Sequence, residues 1–234
     1  MTFVTTRWTV VLTAGRHDTS RAQIALASLC QAYWFPLYAY VRRRGYSPQD
    51  AEDFTQGFFE RLLQLDSLST VHRERGKFRA FLLAAMNHYL ADEWGRASAQ
   101  KRDVRKTIPL DMHRAETRYA DEPLDQTSPD RLFERQWALT LLETVLQLLC
   151  REYAAAGKQE LFQTLRFTIT GDGNKKPYAE LGDSLGMTAE AARVAAHRLR
   201  QRYRHLLRAE IAHTVATEAD VEEELHYLRR ILAG

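Results

Sequence analysis

The chain has 234 residues, 45% of them hydrophobic and 27% charged, and a formal net charge of +3 at pH 7. This length allows one or two domains with packed cores, and the mild positive charge fits a nucleic-acid partner without requiring one. No apolar run approaches the roughly 18 residues of a membrane span, and both cysteines lie in apolar helical patterns that suit buried thiols, so we expect a cytoplasmic protein without a membrane partner.

Helical periodicity accounts for most of the chain. The predicted helical segments, in chain order, are 20–44, 47–65, 76–96, 130–156, 158–168, a pair within 177–208, and 217–232. No strand-rich region is evident, and 168–170 is at most a short extended piece. The sequence therefore predicts an all-α fold of two helical domains joined by a linker.

Local signals mark the ends of some of these helices. Within 20–44, Pro36 predicts a kink or a helix start, which we interpret as a helix pair that Gly45 ends. Ser47 is an N-cap, and Asp50 stands in the capping-box position three residues later.

The segment 111–130 differs from its neighbours. It holds six acidic and two basic residues, with prolines at 123 and 129. Because this composition suits neither a helix nor a core, we interpret it as part of an acidic linker. The predicted organisation is a first domain over 1–102, the linker over 103–130, a second domain over 131–216, and an extra C-terminal helix within 217–234.

The stretch 177–208 is the most informative about function. Two helical patterns flank a tight turn at 186–188, which is the layout of a helix-turn-helix, whose second helix enters a DNA major groove. One apolar stripe along the second helix consists of Ala192, Ala196, Leu199, Tyr203 and Leu206. Cations on a different face are Arg193, His197, Arg200 and Arg204. Such a helix suits phosphates and base edges.

Three segments, in order, resemble motifs of one family. AEDFTQGFFERLL (51–63) resembles the acidic-Gln-aromatic signature of region 2 in bacterial RNA polymerase sigma factors. GKFRAFLLAAMNHYLADEWGR (76–96) resembles the aromatic helix that ends that region, and PYAELGDSLGMTAEAARVAAHRLRQRYRHLLR (177–208) resembles region 4. With two domains and a linker, the chain is similar to the extracytoplasmic-function (ECF) class.

The resemblance implies a promoter-specificity subunit of RNA polymerase. Region 2 of such proteins binds core polymerase and melts the promoter −10 element, whereas region 4 binds polymerase and reads the −35 element. The implied partners are core RNA polymerase and promoter DNA, with room for an anti-sigma or other regulatory protein. No catalytic residue, metal or cofactor is implied.

The helix at 51–63 carries the predicted polymerase contacts. By motif position these are Asp53, Gln56, Phe59 and Glu60. An acidic face beside aromatic edges suits docking onto a basic helical partner. The alternative is a solvated helix face with Phe59 in the core.

Cations and aromatic residues interleave between 76 and 102, as binding of a melted DNA strand requires. Asn87 offers both a donor and an acceptor and is the candidate reader of a flipped base. The other predicted −10 contacts are Lys77, Arg79, His88, Asp92, Trp94, Arg96 and Arg102. We assign Phe81 and Tyr89 of the same segment to the core.

We place the recognition helix at 188–204. Thr188 is its predicted N-cap and a phosphate ligand. Arg193 and His197 are the predicted base readers, and Glu190 is placed to accept a hydrogen bond from a cytosine amine. The predicted phosphate contacts are Arg198, Arg200, Arg202 and Arg204. The alternative is an Arg-rich solvated helix, which six arginines from 193 to 208 disfavour.

Three features depart from the usual family pattern. Gly182 stands where Ala is common; it costs about 1 kcal/mol of helix stability but allows closer helix approach. Residues 190–192 and Ala195 also differ, which leaves the −35 sequence open. The extra helix within 217–232 is interpreted as a packing helix that covers its own domain, or alternatively as a regulatory helix that masks region 4.

Two other functions compete with this interpretation. A stand-alone helix-turn-helix regulator would not need the region 2 signature and would usually dimerise on a palindrome. An enzyme is disfavoured because the sequence has no GxGxxG, P-loop, HExxH or paired CxxC motif, and His72, His88 and His113 are not spaced as metal ligands.

Overall fold

The computed structural model of the protein describes residues 20–64, 77–97, 112–120, 128–171, 176–212, 214–215 and 217–233. Within these ranges every regular element is an α-helix and there is no strand, so the all-α prediction is confirmed. None of the helices in the described ranges has both the length and the apolar character that a membrane crossing requires.

Ten helices follow one another along the described part of the chain. They are α1 (Ser20–Arg43), α2 (Pro48–Gln64), α3 (Phe78–Ala97), α4 (Met112–Ala120), α5 (Pro129–Ala155), α6 (Gln159–Leu165), α7 (Phe167–Thr170), α8 (Tyr178–Ser184), α9 (Ala189–Ala212) and α10 (Ala219–Ala233).

The predicted cap of α2 is present. The backbone N–H of Asp50 donates to Ser47 Oγ at 3.1 Å, and the Ser47 hydroxyl donates to Asp50 Oδ2 at 2.7 Å. Gly45 follows α1 with a φ of 93°, in the left-handed region that glycine adopts without strain. Local sequence signals were therefore sufficient to predict where α1 ends and where α2 begins.

The predicted helix pair at 20–44 is wrong, since α1 is a single helix with Pro36 inside it. Proline removes one backbone donor from a helix and is costly there. Around Pro36, however, the residues of α1 are packed in the core: Leu37, Tyr38 and Val41 are fully buried. Tertiary packing therefore holds the helix together across the proline.

Two further segments that the sequence did not mark as clearly helical also form helices. The possible extended piece at 168–170 lies in the short helix α7, which ends at Gly171 with a φ of 75°. Residues 112–120 form α4, within a segment that composition predicted to be a poor helix. Ala115 of α4 is buried, so this helix is stabilised by contacts that its own composition does not reveal.

The chain divides into two compact units. The first consists of Met1–Thr140 and Ala212–Gly234, and the second of Leu141–Ile211. The divisions fall inside α5 and at the end of α9, whereas composition placed the domain boundary at the linker 103–130. Because α5 is one continuous apolar helix, it contributes side chains to the cores of both units.

Each unit has its own core. The first contains, among others, Tyr33, Leu37, Tyr38, Phe59, Leu82, Met86, Leu132 and Phe133, all nearly inaccessible to solvent. The core of the second is formed by Leu149, Phe162, Leu165, Leu181, Ala196 and Leu199. The second core joins α5, α6, α8 and α9, and it positions the surface of α9.

Candidate nucleic-acid interface

The helices α8 and α9 are joined by a tight turn of the helix-turn-helix kind. Gly186 adopts a φ of 64°, and the N–H of Met187 donates to the carbonyl oxygen of Gly182 at 2.9 Å. Thr188 then caps α9, because its Oγ1 accepts a hydrogen bond from the N–H of Ala191 at 3.2 Å. The predicted N-cap is confirmed, and it fixes where α9 begins.

Gly182 lies directly against the turn. A Cβ at this position would lie 2.6 Å from the carbonyl oxygen of Met187 and 3.1 Å from the backbone nitrogen of Ala189. The backbone of the turn therefore occupies the space that any other residue would need. The expectation that Gly182 allows a closer approach is confirmed.

One face of α9 is buried as predicted. Ala192, Ala196 and Leu199 are fully inaccessible to solvent. Tyr203 and Leu206 are partly buried and pack against the same core. Burial raises the pKa of the Tyr203 hydroxyl to about 12. The stripe fixes the rotation of α9 and leaves its other side facing solvent.

The predicted −35 contacts lie on α9 or at its cap. Thr188, Glu190, Arg193, His197, Arg198 and Arg204 are exposed, and Arg200 is half-buried. Two of these side chains have polar partners on α9 itself. Arg193 donates a hydrogen bond to Glu190 at 2.5 Å, and His197 Nε2 lies 3.1 Å from Gln201 Nε2. Such exposed pairs contribute at most about 1 kcal/mol, so a base or phosphate is able to replace them at little cost.

Arg202 has a different role from its neighbours. Its guanidinium makes two hydrogen bonds to the Glu152 carboxylate, at 2.7 and 2.8 Å. The hydrogen bond from Arg202 lowers the pKa of Glu152, so the pair is charged at neutral pH. Because Glu152 belongs to α5, this predicted phosphate contact instead ties α9 to its own unit.

The predicted polymerase contacts on α2 separate into two groups. Asp53 is exposed and Glu60 is half-buried. Phe59 is only 1% exposed, with its ring 5.6 Å from that of Phe58, and Gln56 is buried with its amide donating to Glu52 at 3.2 Å. The structure thus places Phe59 in the core, as the alternative interpretation had it. Asp53 is the most accessible of the four side chains.

Asn87, the candidate base reader, has partners on α1 and just beyond its end. Its Oδ1 accepts hydrogen bonds from the Tyr40 hydroxyl and from Arg44, both at 2.6 Å. These bonds fix the orientation of the amide, so the base contact predicted for Asn87 would have to be made by its nitrogen. Sequence reasoning missed Tyr40 and Arg44, since neither lies in the segment 76–102.

The remaining −10 candidates of α3 are dispersed. His88 is exposed, and Asp92 is also exposed but forms an ion pair with Arg61 at 2.8 Å. Trp94 and Arg96 belong to α3, but their side chains are outside the described residues, as is Arg102 altogether. Among the described residues, then, Asn87 and His88 are the candidates that remain at the surface without an ion pair.

Arg79 is buried, although it was predicted to contact DNA. It is 3% exposed, and its guanidinium forms ion pairs with Glu134 at 2.6 Å and with Glu224. It also lies 4.0 Å from the ring centroid of Trp137, within cation–π distance. Burial by itself lowers the pKa of Arg79, but the charges of Glu134 and Glu224 outweigh it, and the pKa is raised.

Glu224 of α10 joins two of the predicted DNA contacts. Its side chain is fully buried and forms an ion pair with Lys77 as well as with Arg79. The ring of Tyr227, one turn further along α10, lies 4.8 Å from the Lys77 ammonium. The expectation of a packing helix is therefore confirmed, but α10 packs within the first unit, which also contains Lys77 and Arg79.

The sequence did contain a signal for this cluster. Val221, Leu225 and Leu228 form the apolar register of α10, and Glu224 falls within it. A carboxylate at an apolar position is rarely buried unless it is paired. That signal indicates a buried ion pair, although it does not identify the partner.

Comparisons with known proteins give no match: no family model, no curated protein and no solved structure resembles this chain significantly. The geometry of the described helices and the motifs of the sequence are therefore the basis of the functional proposal.

Proposed function

We propose that the protein is a sigma factor of the ECF class, which binds core RNA polymerase in the cytoplasm and directs promoter recognition and transcription initiation. The observation that carries the proposal is the surface of α9. A capped helix with one face buried presents exposed Arg193, His197, Arg198 and Arg204 on the side away from its core. Guanidinium groups at this spacing match the phosphates and guanine edges of a major groove.

The part of the proposal that concerns polymerase has separate support. The three motifs occur in the order that the family resemblance implies, and α2 presents the exposed carboxylate of Asp53. An accessible acid on a helix suits a basic helical surface of core polymerase. In this arrangement α2 binds polymerase, while α9 reads the −35 element.

Two sets of substitutions separate these roles. Asp53→Arg reverses an exposed charge, and we expect at least a tenfold loss of affinity for core polymerase. Arg193→Ala and His197→Ala remove predicted base contacts, and we expect each to weaken −35 recognition by about 1–3 kcal/mol without affecting polymerase binding. The measurements are pulldown with core polymerase and in vitro transcription from the promoter of the protein's own operon.

Glu223→Arg is the matched control for Asp53→Arg. Glu223 is an exposed acid of the same unit, on α10, and its reversal changes the net charge equally. If both reversals reduced polymerase affinity to the same extent, general electrostatics would explain the loss. If the unmodified chain failed to bind core polymerase, the sigma-factor proposal would be wrong.

The second candidate function is a stand-alone helix-turn-helix regulator. It is favoured by the burial of Gln56, Phe59 and Arg79, which removes three of the predicted region 2 contacts from the surface. Such a regulator would bind DNA through α9 with the same affinity whether or not core polymerase is present. Binding measured with and without the polymerase distinguishes the two functions.

A further inference from the structure

Val194 is an apolar residue in an unusual place. Among the residues that the structure describes, it is the large hydrophobic side chain that stands out as exposed, at 40% of its surface. It lies in the second turn of α9, between the base-reading candidates Arg193 and His197. Single exposed apolar residues are common on protein surfaces, so exposure by itself implies nothing. The functional argument depends instead on the position of Val194 on α9.

Val194 is at the middle of the outward face of α9. With about 3.6 residues per turn, it points away from the buried stripe of Ala192, Ala196 and Leu199. Glu190 lies one turn before it on the same side, and Arg198 lies one turn after it. If α9 enters a major groove by this face, Val194 is among the side chains nearest to the base edges.

Two polar pairs flank Val194 along α9. On the N-terminal side Glu190 is paired with Arg193 at 2.5 Å, and on the C-terminal side His197 is next to Gln201 at 3.1 Å. Val194 thus forms a small apolar spot between two polar pairs. Valine is also a weaker helix former than alanine at an exposed site, and none of the contacts described for α9 compensates for that preference.

We propose that Val194 contacts the 5-methyl group of a thymine and so selects an A·T pair within the −35 element. This inference rests on the proposed function, since it names the base that the same surface reads. The thymine methyl is the apolar group that base pairs present in the major groove, whereas the other base-edge groups there are hydrogen-bond donors or acceptors. A branched apolar side chain among charged groups complements the methyl group of that edge.

The test begins with the full chain, alone and after mixing with core RNA polymerase. Duplexes that bind are selected from a random pool, and each thymine of the selected site is then replaced by uracil, which removes the methyl group alone. At one thymine we expect an affinity loss of about fourfold, the equivalent of about 0.8 kcal/mol for one buried methyl group. Val194→Ala withdraws both γ-methyl groups from the groove, so the difference in affinity between the thymine and uracil duplexes should largely disappear.

Gln163→Ala is the control. Gln163 is an exposed residue of α6 in the same unit, and its replacement should leave the difference between thymine and uracil unchanged. Because Val194 is at the surface, Val194→Ala is expected to fold normally, and far-ultraviolet circular dichroism verifies this.

The possible outcomes distinguish a failure of the thymine contact from a failure of the proposed function. If the chain selects no DNA sequence in either condition, the proposed function fails, and the thymine contact fails with it. If it selects a site but no uracil replacement matters, or Val194→Ala retains the thymine preference, the thymine contact alone is wrong. If Val194→Ala retains that preference and loses polymerase affinity, Val194 is a protein contact and the inference is overturned.

Discussion

At the scale of a single residue, Gly182 illustrates why some positions of a site cannot be interpreted from sequence alone. Glycine is a poor helix former, so propensity alone marks Gly182 as a defect in α8. The structure shows that the backbone of the turn at Met187 occupies the space beside it. The sequence suggests that possibility, but only the 2.6 Å separation decides that packing outweighs propensity.

We predict that Gly182→Ala destabilises the second unit. Propensity alone would stabilise α8 by about 1 kcal/mol. The added Cβ would instead displace the carbonyl of Met187, and overpacking of this kind costs about 1–3 kcal/mol. Urea unfolding of the unmodified protein and of Gly182→Ala shows whether the free energy of unfolding falls or rises. A gain of about 1 kcal/mol would contradict the packing argument.

Ala179→Gly provides the comparison within the same helix. Ala179 is exposed on α8, so its replacement should lose about 1 kcal/mol through propensity and nothing through packing. Helix propensity alone predicts opposite effects for the two variants: a gain of stability for Gly182→Ala and a loss for Ala179→Gly. A loss of stability in both variants would therefore show that packing decides at position 182.

At the scale of the element, α4 and α2 show the limit of local signals. The beginning of α2 was predicted because Ser47 and Asp50 are close in sequence. The helix α4 was not, because its support comes from distant residues: Glu116 accepts hydrogen bonds from Tyr38 and from Arg42, the latter at 2.8 Å. Composition describes a segment by itself, and these contacts join residues more than 70 positions apart.

The docking of α4 should depend on pH. Burial by itself raises the pKa of Glu116, but hydrogen bonds from Arg42 and Tyr38 outweigh it, and the folded pKa lies below the ordinary value of 4.5. A carboxyl group with a lowered folded pKa stabilises the fold above its ordinary pKa, and this contribution is lost as pH falls through the folded value. We therefore expect Glu116→Gln to destabilise the protein at neutral pH, by an amount that diminishes below about pH 4.5.

Urea unfolding across this pH range measures the effect. Ala120→Gly is the control, since Ala120 is exposed at the end of α4 and neither residue titrates. Its stability difference from the unmodified protein should be the same at every pH. A constant difference for Glu116→Gln as well would show that the carboxylate charge is not what holds α4.

At the scale of the whole molecule, a buried charge cluster connects elements that are far apart in the chain. Arg79 follows the start of α3, Glu134 is in α5, and Glu224 is in α10. Burial raises the pKa of Glu134, and Glu224 adds to this effect against the opposing charge of Arg79. The all-α class was predictable from periodicity. The division into these two units was not, since it depends on where the last helix packs.

We predict that Glu224→Gln destabilises the first unit by about 3–5 kcal/mol, because it leaves a buried guanidinium without one of its two carboxylates. Glu223→Gln, at the exposed neighbouring position, should change the stability by no more than about 0.5 kcal/mol. Chemical denaturation of both variants tests this. If Glu224→Gln and Glu223→Gln were equally stable, the contacts of Arg79 with Glu134 and Trp137 would be enough to stabilise its buried charge.

The division of the chain also has a consequence for its biosynthesis. The first unit includes Ala212–Gly234, whereas the second unit is the uninterrupted segment Leu141–Ile211. During translation, at about 5–20 residues per second, the whole of the second unit is synthesised before Glu224 is made. Arg79 and Glu134 therefore remain without their third partner for several seconds, because about 90 residues separate Glu134 from Glu224. On a nascent chain, the first unit is thus begun first but is the last to be completed.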